Sequence, residues 1–432
     1  MLVLAAVLRL WALARPDQLV FDEIYYVRDA VSQLAHGFPT TWPNDDAAFT
    51  DPRAFSDRAS AIAHPSLGKW LIGLGILAFG PDNGWGWRIS SAVAGIAAVG
   101  VTMRLGYLMG RSMRIACLAG LLLAIDGVHV VLSRVGLLDG FLTLLVVLGA
   151  LFVWHDQARL GCPAGGSPSR RIHWRRPWLL AAGAAFGAAA AVKWSGLYPL
   201  AAFLLLITAR DVILRLRHRG TRSRISALLA SLRQALVAGV IALPAAALAY
   251  LATWIGWVLH PNAQDREPGE PWWVSLWEWH TRSLAWHASL TAEHPYQSSP
   301  LGWPLALRPT AMYRESIPQG AACPWAGGCV SAVTPLPNPL VTWAGVLALL
   351  FLCWIAVRAL WRAVRLRSSA PLVQPGLWAA VFVLVGYLSG WLPWVLTFSR
   401  SAVFQFYAVV LTPFAALALA LLLGAVAAVP AL

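Results

Sequence analysis

Long apolar runs constrain this chain more than any other feature of its sequence. Several of them reach or exceed the ~20 residues that a helix needs to cross a bilayer. The 432 residues are 59% hydrophobic and only 12% charged, whereas soluble domains carry roughly 25% charged residues. We therefore predict an all-α polytopic membrane protein, a bundle of about ten transmembrane helices with two large extracytoplasmic loops that carry interfacial helices.

Arginine-rich segments predict the orientation of these helices. They lie at 155–176, 210–233 and 358–375, and short loops rich in Lys and Arg remain in the cytoplasm. The net charge of +14 comes largely from such loops, so it does not indicate a nucleic-acid partner. Residues 16–86 and 259–339 are then external, and both chain ends are cytoplasmic.

This topology divides the chain into three regions. The first, 1–258, is a catalytic transmembrane region that includes the external loop 16–86. An aromatic-rich external loop follows at 259–337, and transmembrane helices complete the chain at 338–432. Leu67–Phe79 is apolar, but as a span it would reverse the Arg-rich loops, so we predict an interfacial or re-entrant helix there.

The start of the chain and its cysteines are weaker evidence about the fold and about possible disulfides or metal sites. A helix over 1–14 covers about 21 Å, short of the ~30 Å hydrocarbon core, so we expect further sequence upstream. Cys323 and Cys329 could form a disulfide if their loop is extracytoplasmic. No His or further Cys stands at metal-ligand spacing beside them, and we predict no cofactor; a metal is not required.

Two adjacent carboxylates directly follow the first helix. Asp22 and Glu23 stand among aromatic and aliphatic residues, where a carboxylate is poorly hydrated and can accept a proton from a hydroxyl. Because adjacent side chains on a helix point about 100° apart, the two residues can have different roles. The alternative is a helix cap or an acidic pair at the membrane interface.

Three basic residues are candidates for an anion site at the same membrane face. His64 and Lys69 lie at the start of the predicted interfacial helix, behind Pro65, and a helix N-terminus beside basic side chains favours phosphate. Arg88 opens the next spanning helix. The alternatives are an ordinary interfacial Lys with a neutral His, and an Arg that extends to the interface.

Other polar residues fall at the predicted outer face. Arg134 lies in a turn between helices and Arg400 at the outer end of the last helix pair, against the usual charge bias of membrane proteins. The segment that contains His294 and Tyr296 is a candidate acceptor-side wall. The tryptophans of 259–339 fit an amphipathic helix in the headgroup layer.

These motifs, taken in order along nearly the whole chain, resemble the protein O-mannosyltransferase family of the GT-C glycosyltransferase type, and most of all its actinobacterial polyprenol-phosphate-mannose members. The residues that carry the resemblance are Asp22–Glu23, His64 through Lys69, Arg88, Arg134 through Asp139, Val192 through Gly196, His294 through Tyr296, and Arg400 through Tyr407.

The resemblance implies a function and a set of roles. Asp22 would be the general base and Glu23 would shape the acceptor site, while Arg88, with Lys69 and His64, would bind the phosphate of polyprenyl-phosphate mannose. The supporting residues would be Arg134, Asp139, Arg400, His294 and Tyr296. Mannose would pass, with inversion, to Ser or Thr hydroxyls of secreted proteins that emerge from the Sec translocon, at the outer face of the cell membrane among its lipids.

Two alternatives differ in class from this function. One is a GT-C transferase whose acceptor is a cell-wall glycan or a lipid. The other is a lipid-linked sugar transporter, which would place ionisable residues near the bilayer midplane and show internal repeats. Only Asp126 and Lys193 approach the interior of predicted helices, so the charge pattern favours an enzyme.

Overall fold

A computed structural model describes residues 1–43, 49–161, 172–217, 224–320, 322–397 and 400–427. The α-helices formed by these residues are α1 (Leu2–Leu10), α2 (Glu23–His36), α3 (Leu67–Phe79), α4 (Gly84–Gly110), α5 (Met113–Ala124), α6 (Gly127–Leu132), α7 (Asp139–Arg159), α8 (Pro177–Val192), α9 (Leu197–Arg217), α10 (Arg224–Ala252), α11 (Ile255–Leu259), α12 (Trp272–Ser289), α13 (Pro339–Arg365), α14 (Pro375–Val395) and α15 (Thr412–Ala427).

The helices confirm the predicted all-α membrane architecture. Within the described residues, 7 helical stretches are long and apolar enough to cross a bilayer. These stretches contain α4, α7, α9, α10, α13, α14 and α15. The shorter helices α1, α5 and α8 occupy the three remaining positions at which the sequence predicts a span.

Some helix boundaries differ from the predicted ones. Residues 113–132, for which the apolar sequence predicts one span, form two helices, α5 and α6. The break is at Asp126, whose Oδ2 accepts a hydrogen bond from the His129 N–H at 2.9 Å and caps α6. Helix α9 continues to Arg217, so part of the Arg-rich segment 210–233 is helical. Residues 162–171 and 218–223 of the predicted cytoplasmic segments lie outside the described residues.

The first loop contains two helices that pack against each other. Leu67–Phe79 forms α3 with the predicted bounds, whereas α2 is a helix that we did not predict. Helix α2 ends at Gly37, where φ is 80°, a conformation that glycine adopts without strain. The contact between α2 and α3 gives the first loop a defined structure.

The second loop combines a helix with a small hairpin. Helix α12 buries Trp279, while Trp273 and Trp277 are 60% and 71% exposed, as in an amphipathic interfacial helix. The hairpin pairs β1 (Tyr313–Ile317) with β2 (Cys329–Val333) in antiparallel register. A disulfide joins Cys323 to Cys329, which the sequence left open.

Small residues allow the central helices to approach closely. A Cβ added to Gly183 or Gly187 of α8 would lie 2.3 or 2.2 Å from a carbonyl oxygen of α10, so only glycine fits there. Such contacts replace the hydrophobic driving force that is missing between helices in lipid. They place the outer end of α8, and with it Lys193, at a defined position.

Candidate active site

A cavity of about 220 Å³ lies at the end of the bundle that carries the two large loops. It collects side chains from the first loop, from the N-terminus of α7, from the break between α8 and α9, from α12, and from the segment before α15. Its polar and aromatic lining residues are His64, Asp139, Lys193, Trp194, Ser195, Tyr198, His287, Trp394, Thr397, Arg400 and Tyr407.

Lys193 enters this cavity because the helix breaks at that residue. Its backbone is extended, with φ −148° and ψ 138°, between α8 and a short 3-10 helix at Trp194–Gly196. The ammonium donates to Asp139 Oδ2 at 2.7 Å and lies 4.8 Å from the centre of the Tyr407 ring. A buried Lys is stable only when it is paired in this way, so one cation is held against the cavity wall.

Arg400 brings a second cation to the same cavity. Its Nη1 lies 3.0 Å from His287 Nδ1, and His287 Nε2 lies 2.8 Å from the Ala63 carbonyl oxygen. Because a carbonyl can only accept, Nε2 carries the proton and Nδ1 accepts from Arg400. His287 is therefore neutral and orients the guanidinium.

His64 stacks on His287 with ring centres 5.3 Å apart. Burial lowers the pKa of the His64 imidazole well below its usual value, and the charges of Lys193, Lys69 and Arg400 lower it further. Burial also lowers the pKa of His287. Both rings are neutral at pH 7, so the positive charge of the cavity comes from Lys193 and Arg400.

Asp22 lies between the first helix and α2 with a free carboxylate. The residue is half-buried, and among the described residues its side chain has no hydrogen bond or ion pair. Burial raises its pKa to about 6, while the charge of Lys193 lowers it and that of Asp139 raises it. Asp22 is thus mainly ionised at neutral pH, yet a stronger base than an ordinary aspartate.

Glu23 forms an internal ion pair with no exposed surface. Its oxygens accept from Arg88 Nε and Nη2, both at 2.8 Å, and from the backbone N–H groups of Val20 and Gly136 at 2.9 and 2.6 Å. The pair ties the loop before Asp22 to α4 and to the turn before α7.

Arg88 has every guanidinium nitrogen engaged within the chain. Besides Glu23, it donates to the carbonyl oxygens of Leu13, Pro16 and Gln18 at 2.8 to 3.3 Å. It does not line the cavity, and it is 1% exposed. Arg88 therefore lies outside the set of residues that surround Lys193 and Arg400.

Lys69 and Arg134 are also turned away from the cavity. The Lys69 ammonium pairs with Asp29 at 3.1 Å and donates to the His64 carbonyl at 3.1 Å, so it holds the turn that carries His64. Arg134 donates to the carbonyl oxygens of Leu8 and Arg9 at the end of α1. The contacts of both residues are those of structural cations.

His294 and Tyr296 lie beside an aromatic group next to Asp22. The rings of Phe21 and Phe404 are 6.1 and 4.9 Å from that of His294, and His294 Nδ1 accepts from the Tyr296 N–H at 3.1 Å. The segment is joined to the end of the chain by a hydrogen bond from the Ser298 N–H to the Val403 carbonyl at 2.9 Å. The segment is therefore fixed against Phe404 and against Phe21, which directly precedes Asp22 in the chain.

Of the predicted site residues, three line the cavity: His64, Asp139 and Arg400. The others do not line it: Asp22, Glu23, Lys69, Arg88, Arg134, His294 and Tyr296. Asp22 is nevertheless close enough to Lys193 and Asp139 for their charges to act on its carboxylate. Sequence reasoning did not assign roles to Lys193, His287 and Tyr407. A Lys within an apolar stretch is a signal that could have identified Lys193. No group of three or more His, Cys, Asp or Glu side chains suited to a metal ion occurs within the described residues.

Two family models match the chain. That of the dolichyl-phosphate-mannose-protein mannosyltransferases covers residues 1–260. The C-terminal four-transmembrane region of protein O-mannosyltransferases covers residues 272–430.

Three curated relatives carry the name polyprenol-phosphate-mannose–protein mannosyltransferase. A polyprenol-phosphate-mannose–protein mannosyltransferase of Mycobacterium tuberculosis is 34% identical over 393 residues, 84% of this chain and 70% of that protein. One of Mycolicibacterium smegmatis is 32% identical over 98% of this chain and 80% of its own length. One of Corynebacterium glutamicum is 28% identical over 94% of this chain and 77% of its own length.

Solved structures share the fold. The Saccharomyces cerevisiae Pmt1–Pmt2 complex bound to the sugar donor matches with a TM-score of 0.71, at 13% identity over 99% of this chain and 84% of that one. The archaeal oligosaccharyltransferase AglB from Archaeoglobus fulgidus matches with a TM-score of 0.50, at 15% identity over 98% of this chain and 50% of that one. The architecture is the predicted GT-C-type bundle.

Proposed function

Because the chain belongs to the dolichyl-phosphate-mannose-protein mannosyltransferase family, it is a glycosyltransferase, and we propose that it transfers mannose from polyprenyl-phosphate mannose to Ser and Thr hydroxyls of proteins. The observation that carries the site assignment is the Asp22 carboxylate, which has no ion pair among the described residues and feels the charges of Lys193 and Asp139 in the wall of a cavity that holds two cations. Transfer to a hydroxyl needs a base, and departure of a lipid phosphate needs positive charge.

Asp22 is the general base. Its carboxylate takes the proton of the acceptor hydroxyl while the hydroxyl oxygen bonds to the anomeric carbon. The bond from that carbon to the phosphate oxygen breaks in the same displacement, and its electron pair leaves with the lipid phosphate. A single displacement inverts the anomeric centre.

Lys193 and Arg400 bind the leaving phosphate. A phosphodiester that becomes a phosphate monoester gains negative charge, and fixed cations in a poorly hydrated site stabilise that charge more than water does. The neutral His287 orients the Arg400 guanidinium, and the neutral His64 stacks on His287. Neither ring adds a charge to the cavity. Asp139 is a positioning residue, since it holds Lys193 at 2.7 Å.

Arg88, Glu23 and Lys69 support the site rather than touch the donor. The Arg88–Glu23 pair fixes the backbone on either side of Asp22, and Lys69 fixes the turn of His64. We propose these positioning roles in place of the phosphate contacts implied by the family resemblance. His294 and Tyr296 remain the proposed acceptor-side wall.

The site faces the extracytoplasmic side of the cell membrane in this proposal. Arg215 and Arg217 lie at the end of α9 remote from Lys193, and the positive-inside rule favours a cytoplasmic position for that end. The Cys323–Cys329 disulfide suits an oxidising compartment. The acceptors in this proposal are secreted proteins that reach the site during or after translocation. We also propose that the chain is divided into three regions, with boundaries after residues 258 and 337.

The test uses membranes that contain the full chain, radiolabelled polyprenyl-phosphate mannose and a Thr-rich peptide. We expect label in the peptide with the wild type, and none above background with Asp22→Asn. Asp17→Asn is the matched control, because Asp17 is an exposed carboxylate in the same loop and should leave transfer intact. Label in a glycan or lipid, or full activity of Asp22→Asn, would overturn the proposal.

A further inference from the structure

A second, smaller cavity lies behind the wall of the active site, where α6, α13 and the 3-10 helix Gln405–Leu411 meet. Its volume is about 30 Å³, and it is lined in part by Asp126, Thr342 and Gln405. Asp126 and Gln405 are each 1% exposed. The cavity is thus a polar space within a predominantly apolar bundle.

Three polar atoms in this space have no hydrogen-bond partner among the described residues. They are Asp126 Oδ1 and both amide atoms of Gln405, Oε1 and Nε2. The Thr342 hydroxyl lies close enough to the Asp126 carboxylate to interact with it, but Asp126 Oδ1 has no partner of hydrogen-bond geometry among the described residues. Exchanging the oxygen and nitrogen of the Gln405 amide changes nothing, because both atoms are unpaired. Buried polar groups that stay unsatisfied destabilise the folded state.

We infer that ordered water occupies this cavity and bridges Asp126 to Gln405. A water needs about 10–15 Å³ of accessible volume and two to four polar partners, so the cavity holds about two. Water both donates and accepts, and it can therefore satisfy the two oxygens and the Nε2 donor together. An alkali cation would contact the oxygens and leave Nε2 bare.

Charge balance also favours water. The Asp126 carboxylate already has the buried Arg9 guanidinium near it, since Arg9 contacts His129 and the Ala124 carbonyl beside the Asp126 cap. A further cation is not needed to neutralise the site. The bridge would fix the first residue of the 3-10 helix that carries Tyr407, whose ring lies under the Lys193 ammonium.

Radiolytic hydroxyl labelling read by mass spectrometry tests the inference on the full-length protein, because it modifies buried aromatic side chains where bound water lies beside them. Tyr387 and Trp303 line the cavity and are 6% and 2% exposed, and Trp154, 5% exposed, is the control in the apolar core. We expect labelling of both cavity residues several-fold above that of Trp154. Labelling equal to that of Trp154 would overturn the inference.

Two variants and one salt exchange complete the test. Gln405→Leu removes both amide partners and should at least halve the labelling of Tyr387; Thr342→Val, a milder change, serves if the first variant does not fold. Unchanged labelling in a folded variant would contradict the bridge. A wild-type unfolding temperature that differs between sodium, potassium and choline chloride would identify a cation and would also overturn the inference.

Discussion

Glu23 and Arg88 form a bidentate ion pair in which both partners are buried and the two N···O distances are 2.8 Å. The pair stands one residue from Asp22, so the proposed base is attached to a rigid anchor. A carboxylate that must meet both a lipid-borne sugar and a protein hydroxyl gains from such a fixed position.

Breaking this pair should destabilise the protein. Arg88→Met leaves the Glu23 carboxylate buried without its cation, a change that costs about 3–5 kcal/mol in comparable pairs. We expect a clear fall in the unfolding temperature of the purified protein in detergent. The folded fraction should keep an unchanged KM for the lipid donor.

Arg134→Met, which removes a half-buried arginine that donates to the α1 carbonyl groups and does not contact Glu23, is the comparison variant. If Arg88→Met left stability intact and raised only the donor KM, Arg88 would be a phosphate ligand and its positioning role would be wrong.

The rate of transfer should rise with pH through the pKa of Asp22. Burial raises this pKa to about 6, and only the ionised carboxylate can accept the hydroxyl proton. We expect log kcat/KM to increase with a slope near one below about pH 6 and to level off above it. A flat profile between pH 5 and pH 7 would contradict the assignment.

The same shift predicts how Asp22 affects stability. Between its unfolded value of 3.8 and about 6, the folded state binds more protons than the unfolded state, so stability falls as pH rises through this range. Asp22→Asn should remove that contribution and unfold at the same or a higher temperature than the wild type at pH 7. A lower unfolding temperature would show that Asp22 has a structural role.

Neutralising Arg400 should weaken use of the donor. Arg400→Gln removes one of the two cations of the cavity, and hydrogen bonds to charged groups contribute about 1.5–3 kcal/mol, so we expect kcat/KM for the donor to fall by roughly tenfold or more. Arg308→Gln is the matched control, since Arg308 is exposed, donates to the Pro295 carbonyl and does not line the cavity. Equal effects of the two changes would indicate nonspecific electrostatics.

Cysteine labelling should place the active site outside. In a background where the cysteines outside the disulfide are replaced, Thr291→Cys in the second loop and Ser368→Cys after α13 put thiols at exposed positions. A membrane-impermeant maleimide should label position 291 in intact cells and position 368 only after lysis. The reverse pattern would refute the orientation.

Local sequence patterns determined most of the helices and singled out Asp22, the proposed general base. The bounds of α3 and α8 follow from apolar runs that end at Gly80 and Lys193, and such runs depend only on neighbouring residues. Asp22 is likewise visible in the sequence as a carboxylate after the first apolar run, although α1 ends at Leu10 and Asp22 lies at the start of α2. The hairpin of β1 and β2 was missed, because strands of five residues carry little periodic signal.

Only the tertiary structure decided which charges meet. Arg88 pairs with Glu23, 65 positions away, and Lys193 with Asp139, 54 positions away, whereas the sequence suggested that Arg88 and Lys69 would bind the phosphate. Sequence shows that a buried charge must have a partner, but not which one. That choice depends on where helix breaks and close glycine contacts place each side chain in the bundle.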